Sequence, residues 1–278
     1  MQFPEHLAPD FMHIVRQVID ANEPDQAKLK ALWGTLATLQ GVLIAHVLAG
    51  RIGTTVFAGP FRGMNLAKEI MNRPFAPELL GTKQWEIHDK IEELIARAYK
   101  HIVIIGCDFG YSAVGYALRV PEAVIHACET EAAARDLCRD MAEANDVKER
   151  VLIAEKPNTD KLEAFSTDKT LLVIEDENQA APLLNPQQMP FVTKMDMLVK
   201  LRLQESGAMP DDIAARFAPT HDVRFIATAP FTFPLDKILG PDYPLEHFDS
   251  LIATWEPRDA PVCYAVFTRK RFVRHENG

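Results

Sequence analysis

Between His101 and Glu131 the chain places residue types that could hold a nucleoside. An apolar run, Ile102–Ile105, meets the turn Gly106-Cys107-Asp108-Phe109-Gly110, and a helix-like segment opens at Tyr111. A second apolar run, Ala123–Cys128, ends at Glu129, with Glu131 close behind. In that order, a tight turn presents backbone N–H groups at a helix start, and an acid at the second strand's tip accepts from two ribose hydroxyls. The plain alternative is that the two acids only favour the dipole of the helix that follows. A dinucleotide turn wants G-x-G-x-x-G. Here the middle glycine is missing, so the pattern points to a nucleoside cofactor without a pyrophosphate.

The elements that must position these residues alternate. Strand-like runs fall at His101–Ile105, Ala123–Cys128, Val151–Ala154, Thr170–Ile174, Met195–Leu201, Val223–Ala227 and Val262–Thr268, with a clear helix at Glu131–Asn145. Such alternation predicts a mainly parallel sheet covered on both faces. Residues Phe11–Gly50 carry apolar positions at helical spacing. The Gly- and Pro-rich stretch Thr54–Leu80 reads as a strand and loops packed on the main domain. Trp85–Tyr99 reads as an amphipathic helix with Ile87, Ile91, Leu94 and Ile95 on one face. The expected division is a helical extension, residues 1–53, and a Rossmann-like domain, residues 54–278.

The net charge of -9 argues against sequence-independent binding of nucleic acid, which needs basic patches. The short basic tail Arg269–Arg274 reads as a solvated end. Four cysteines show neither a C-x-x-C pair nor zinc spacing, so no metal is expected and a reduced, cytoplasmic protein is. The N-terminus has no basic region typical of a signal peptide. The longest apolar run, Gly41–Gly50, is too short to span a bilayer of roughly 30 Å, so no membrane partner is expected. His221-Asp222 could pair as base and orienter, although a His before a strand more often satisfies a cap.

Three blocks carry a resemblance to the class I S-adenosylmethionine-dependent methyltransferases, and more closely to bacterial members related to the FkbM methyltransferases. The first is FAGPFRGM at Phe57–Met64 with LLGT at Leu79–Thr82. The second is IGCDFGYSAVGYALRVPEA at Ile105–Ala123, followed by Glu129, Leu137-Cys138 and Asn145–Val147. The third is LLVIEDENQAAPLLNP at Leu171–Pro186, then MDMLVKL and RFAPTHDV at Arg216–Val223. The resemblance covers roughly residues 54–227. It implies a Rossmann-like sheet of seven strands, mostly parallel with the last antiparallel, and S-adenosylmethionine as cofactor. By position it implies Gly106, Asp108 and Gly110 under the methionine part, Tyr111 shaping the pocket, Glu129 on the ribose and Glu175 near the methyl donor. It names no catalytic residue.

The departures share a sign. Ile104 stands where many members have an acid, and Asp108 could replace it as partner of the cofactor ammonium. Related proteins read Asp-x-Glu-Gly-x-Glu in the third block; here the matching residues are Glu175, Glu177, Asn178 and Ala180. Lys200 and Arg202 replace a Glu-x-His pair, and Lys83-Gln84 replace Tyr-Glu. Acids and a histidine have become cations or neutral residues, and a permanently protonated Arg cannot act as a base. One reading is a methyltransferase whose small anionic substrate is held by Lys83, Lys200 and Arg202. Another is a lapsed enzyme that serves as a binding or partner subunit. A third is that Lys200 and Arg202 only snorkel at a pocket rim. The N-terminal helices could form a homodimer or partner face in either case.

Overall fold

The structure, a computed structural model, describes residues 8–203, 211–229, 233–240, 247–256 and 261–270. Two compact units are present, Met1–Trp85 with Pro230–Pro257, and Glu86–Ala229 with Arg258–Gly278. The chain begins with α1 (Ala8–Asp20), α2 (Asp25–Ile52), α3 (Ala76–Leu80) and α4 (His88–Ile95). It continues through β1 (His101–Ile105), α5 (Tyr111–Arg119), β2 (Val124–Cys128), α6 (Ala132–Ala144), β3 (Val151–Ala154), α7 (Thr159–Phe165) and β4 (Thr170–Ile174). The remaining elements are α8 (Glu177–Leu183), β5 (Asp196–Arg202), α9 (Asp211–Phe217), β6 (His221–Ala227), α10 (Asp236–Leu239), α11 (His247–Ala253) and β7 (Val262–Arg269).

In the first unit the expected single helical stretch is two helices. Pro24 ends it: its extended ψ of 146° makes it the N-cap of α2, and its carbonyl accepts from Ala27 and Lys28. One face of α2 buries Ala37, Gly41, Val42, Ile44, Ala45 and Leu48. A Cβ at Gly41 would lie 3.3 Å from Pro74 and 3.8 Å from Ile252, so glycine lets two distant segments approach the helix. Gln40 donates to Asp249 at 2.8 Å, and Trp33 meets Trp255 edge-on. By length and composition α2 could cross a membrane, but a third of its apolar window is buried within the chain.

Residues 54–80 form no strand beyond an isolated bridge between Thr55 and Asn65; they hold a 3-10 turn, Lys68–Asn72, and α3. They belong to this unit, so the boundary expected at residue 53 falls inside it. Gly81 ends α3 at φ 72°, and a Cβ there would lie 1.9 Å from the Ala58 carbonyl oxygen. That contact is why the LLGT block needs its glycine. The predicted helix at Trp85–Tyr99 is shorter, a 3-10 turn over Trp85–Ile87 followed by α4, whose Ile91 and Leu94 are buried.

The second unit is a seven-stranded sheet in the order β3-β2-β1-β4-β5-β7-β6. All neighbours are parallel except β7, which runs antiparallel to both β5 and β6. This is a seven-stranded sheet, mostly parallel with one reversed strand, as the sequence predicts. Its central strands are apolar throughout because both faces are covered. One face forms a continuous core of Val103, Ile105, Leu172, Ile174, Met197, Val199, Ala265 and Phe267. The basic tail beyond Lys270 lies outside the described residues.

Candidate functional site

The strand register sets the site. Ile105 of β1 pairs with Cys128 of β2 and with Ile174 of β4; Cys128 pairs with Ala154 of β3, and Ile174 with Val199 of β5. The residue after each of these lies one step further, so Glu155, Glu129, Gly106, Glu175 and Lys200 form one row across the C-terminal edge of the sheet. That edge of an open α/β sheet is where ligands bind. A cavity of about 320 Å³ opens there, with Gly106, Glu129, Thr130, Glu155, Asp176 and Gln179 among its walls.

The turn is wound tightly at this edge. Gly106, Asp108 and Gly110 all have positive φ, at 79°, 46° and 90°. A Cβ on Gly106 would lie 2.8 Å from the Asp176 backbone nitrogen, and one on Gly110 would lie 2.6 Å from Cys138 Sγ. Glycine is thus required twice, for conformation and for space. Four of the turn's five amides are occupied. Gly106 and Cys107 donate to the Cys128 carbonyl at 2.9 and 3.1 Å, Gly110 to the Cys107 carbonyl, and Asp108 to Glu129 Oε2 at 3.0 Å. A pyrophosphate would need those groups free, which agrees with the missing middle glycine.

Glu129 stands on the cavity wall. Its Oε1 accepts from the Glu131 N–H at 2.9 Å, so it also steadies the start of α6. The Thr130 hydroxyl donates to the same oxygen at 3.4 Å, so the spare acceptor capacity of this carboxylate for a ligand lies mainly on Oε2, which holds only the Asp108 amide. Tyr111 is buried in the first turn of α5. Glu175 is placed in the row but turns toward α5, where Ser112 donates to its Oε1. The side chain that reaches the cavity from the end of β4 is the next one, Asp176, which also caps α8 by accepting from Asn178. Asp176, Gln179 and Glu155 escaped the sequence reading. The signal was present for Glu155, which leaves β3 as Glu129 leaves β2.

The three cations divide between the units. Lys200 and Arg202 both reach Glu177, at 2.9 and 3.5 Å. Burial raises the Glu177 pKa, but the two cations outweigh it and hold the carboxyl below its usual range. Lys83 belongs to the first unit and pairs with the buried Glu78 at 3.0 Å. Ala180 is buried in the core of the sheet's unit. His221 is buried too. Its Nε2 lies 2.7 Å from the Met195 carbonyl and its Nδ1 2.9 Å from Thr220 Oγ1, so both ring nitrogens serve the fold and neither faces Asp222 as a base would. Burial pushes Cys128 up to about 11, and hydrogen bonding to Cys138 with burial pushes Cys107 up further. All four thiols are buried, as small apolar residues would be. Among the described residues no cluster of His, Cys, Asp or Glu could hold a metal ion.

His126 on β2 stacks on Phe165 and shares a 3.3 Å contact with His101. Burial, then the charge of His101, lowers its pKa to about 4. The unfolded chain takes up this proton near pH 6.5 and the folded chain only near 4, so stability falls as pH drops through that window and levels below it. The full span is worth roughly 2–3 kcal/mol. Urea midpoints measured from pH 8 to pH 4 should show this slope, and His126→Phe should flatten it.

No protein-family profile and no curated protein sequence matches the chain. Solved structures do. The METTL16 methyltransferase domain aligns at 11% identity and a TM-score of 0.46, over 82% of this chain and 78% of that one. An O-methyltransferase from Bacillus cereus in complex with SAH aligns at 13% identity and 0.41, over 82% and 90%. A putative O-methyltransferase from Klebsiella pneumoniae aligns at 14% identity and 0.43, over 69% and 82%. At these values the assignment of the fold rests on the strand order and on the single reversed strand, and the sheet is what the chain shares with them.

Proposed function

We propose that the chain is an S-adenosylmethionine-dependent methyltransferase acting on a small anionic molecule. The observation that carries this is Glu129 beside the Gly106 turn, level with it at the cavity, in a sheet of this order. The residues fit such a cofactor. The cavity is of a size for a nucleoside, the acid has acceptor capacity for ribose hydroxyls, and the turn's occupied amides suit a ligand without phosphates. Bound there, S-adenosylmethionine would supply a methyl group on a sulfonium, whose in-line displacement needs alignment more than a base. Glu129 would orient the ribose, and Gly106, by having no side chain, would keep the floor of the cavity open. Asp176, on the cavity wall at the end of β4, carries the negative charge available to a cofactor ammonium in this reading, while Glu175 is bonded to Ser112.

Lys200 and Arg202, with Glu177 between them, leave one net positive charge at the end of β5, which is the basis for an anionic substrate. Glu177→Gln removes the competing carboxylate. It is expected to tighten binding of a carboxylate-bearing ligand by about tenfold while costing roughly 1–2 kcal/mol of stability. Lys200→Glu should weaken the same ligand. Equal affinity in both variants, read by calorimetry, would remove the anion site. A second reading, a lapsed enzyme acting as a binding subunit, is favoured by Ala180. Burial of that position in the core leaves no place for the acid that related proteins carry. Calorimetric titration with S-adenosylmethionine and S-adenosylhomocysteine separates the possibilities. Micromolar binding of either supports the cofactor site, and no binding by the folded protein sinks the methyltransferase reading.

A further inference from the structure

Among the described residues ten large apolar side chains stand exposed, and six of them lie on α1 and α2: Met12, Ile14, Ile19, Leu29, Trp33 and Leu36. They are not scattered. Leu29, Trp33 and Leu36 follow one another at helical spacing along the N-terminal half of α2, and Met12 and Ile19 are two turns apart on α1, which packs beside it. Leu29 is 67% exposed and Trp33 55%. The C-terminal half of α2 is covered by its own unit, through Val42, Ile44, Ala45 and Leu48. The N-terminal half of the helix thus leaves an apolar stripe uncovered, flanked by Lys28 and Lys30.

We propose that the α1–α2 hairpin is a self-association face, packing on the same hairpin of a second copy with α2 antiparallel to α2 across Trp33. Four helices would then share one apolar seam. Five of these side chains, leaving out Ile14 because it lies about 200° round α1 from Met12, offer about 500 Å² of apolar surface, against roughly 800 Å² in total per partner in a stable interface. Single proteins rarely leave a patch of that extent uncovered. A two-fold pairing closes on itself and needs no other surface.

The charges and lengths favour a second copy over a lipid surface. The exposed stripe from Leu29 to Leu36 is about 12 Å long, far short of a bilayer's roughly 30 Å, and the rest of the helix is committed to the unit's core. A helix lying on a membrane carries a strongly basic polar face. Here Arg16, Lys28 and Lys30 are matched by Asp20, Glu23 and Asp25, and Lys28 is turned inward, donating to the Ile19 carbonyl at 2.8 Å. The proposal does not depend on the methyltransferase reading.

The test is the mass of the full chain by light scattering on a sizing column at micromolar concentrations. The expected result is twice the chain mass of 31.2 kDa. Leu29→Glu, which removes an exposed side chain only, and Trp33→Glu should each weaken association about 100-fold, with the far-UV spectrum unchanged. Mixing Trp33→Glu with Trp33→Lys should restore the dimer, which loss of folding could not do. Leu152→Glu, at a 50% exposed position on β3, should leave the mass unaltered. A monomeric wild type would overturn the proposal. So would a dimer insensitive to Leu29→Glu, or a monomer that co-sediments with phosphatidylcholine–phosphatidylserine vesicles.

Discussion

Gly106→Ala is expected to cost the sheet's unit about 3 kcal/mol and to close the cavity at its edge. Two effects add. The backbone stands at φ 79°, and the new methyl group would lie 2.7–2.8 Å from the Cβ and backbone nitrogen of Asp176. Neither neighbour can retreat freely. The Asp176 amide is held by the Ile105 carbonyl at 3.3 Å, and its side chain caps α8. The turn would have to lift, and its bonds to the Cys128 carbonyl would lengthen. Gly63→Ala supplies the comparison. It has φ 92° and nothing within 4 Å of a Cβ, so it should show strain alone, about 1 kcal/mol. Urea unfolding of both variants measures the difference. If Gly106→Ala costs no more than Gly63→Ala, the turn is not wedged against the end of β4.

Glu129→Ala should lower affinity for S-adenosylhomocysteine about 100-fold. Hydrogen bonds from a carboxylate to neutral donors are worth roughly 1.5–3 kcal/mol each, and a ribose presents two hydroxyls. Glu129→Gln keeps an acceptor but no charge and should lose about tenfold. The same carboxylate accepts from the amides of Asp108 and Glu131, so the turn and the start of α6 will loosen by about 1 kcal/mol. Unfolding curves must therefore accompany the titrations. Unchanged affinity in a folded Glu129→Ala protein would show that the acid serves the turn and not a ribose.

Much of the frame was legible in the chain. Apolar runs of four to seven residues named all seven strands within two residues; the central strands are buried on both faces, whereas β3 and β6 at the edges are only half buried. The turn was legible because positive φ beside a close backbone approach leaves glycine as the fitting residue. The position of Glu129 at the tip of β2 was legible because an acid marks the end of a buried apolar strand, whereas its bonds to the Asp108 and Glu131 amides were not. Other parts were not. Thr54–Leu80 carries glycine and proline that read as loops on the sheet, yet it belongs to the helical unit. Its partner is α2, which also packs on α11 from far along the chain, and local composition does not encode such pairings.

The amino-acid sequence by itself determined the order of strands and helices, the glycine turn and the acid at the second strand's tip. Each follows from backbone sterics or from burial within a few residues. Only the tertiary structure decided which side chains meet at the site. Register aligned Glu155, Glu129, Gly106, Glu175 and Lys200 along one edge. It sent Glu175 toward Ser112 and brought Asp176 to the cavity. It also set Glu177 between Lys200 and Arg202, so that in space the carboxylate offsets one of the two positive charges. The physical reason is reach: a residue's conformational preference is local, whereas its electrostatic partners are chosen by strand pairing across distances that local pattern does not span.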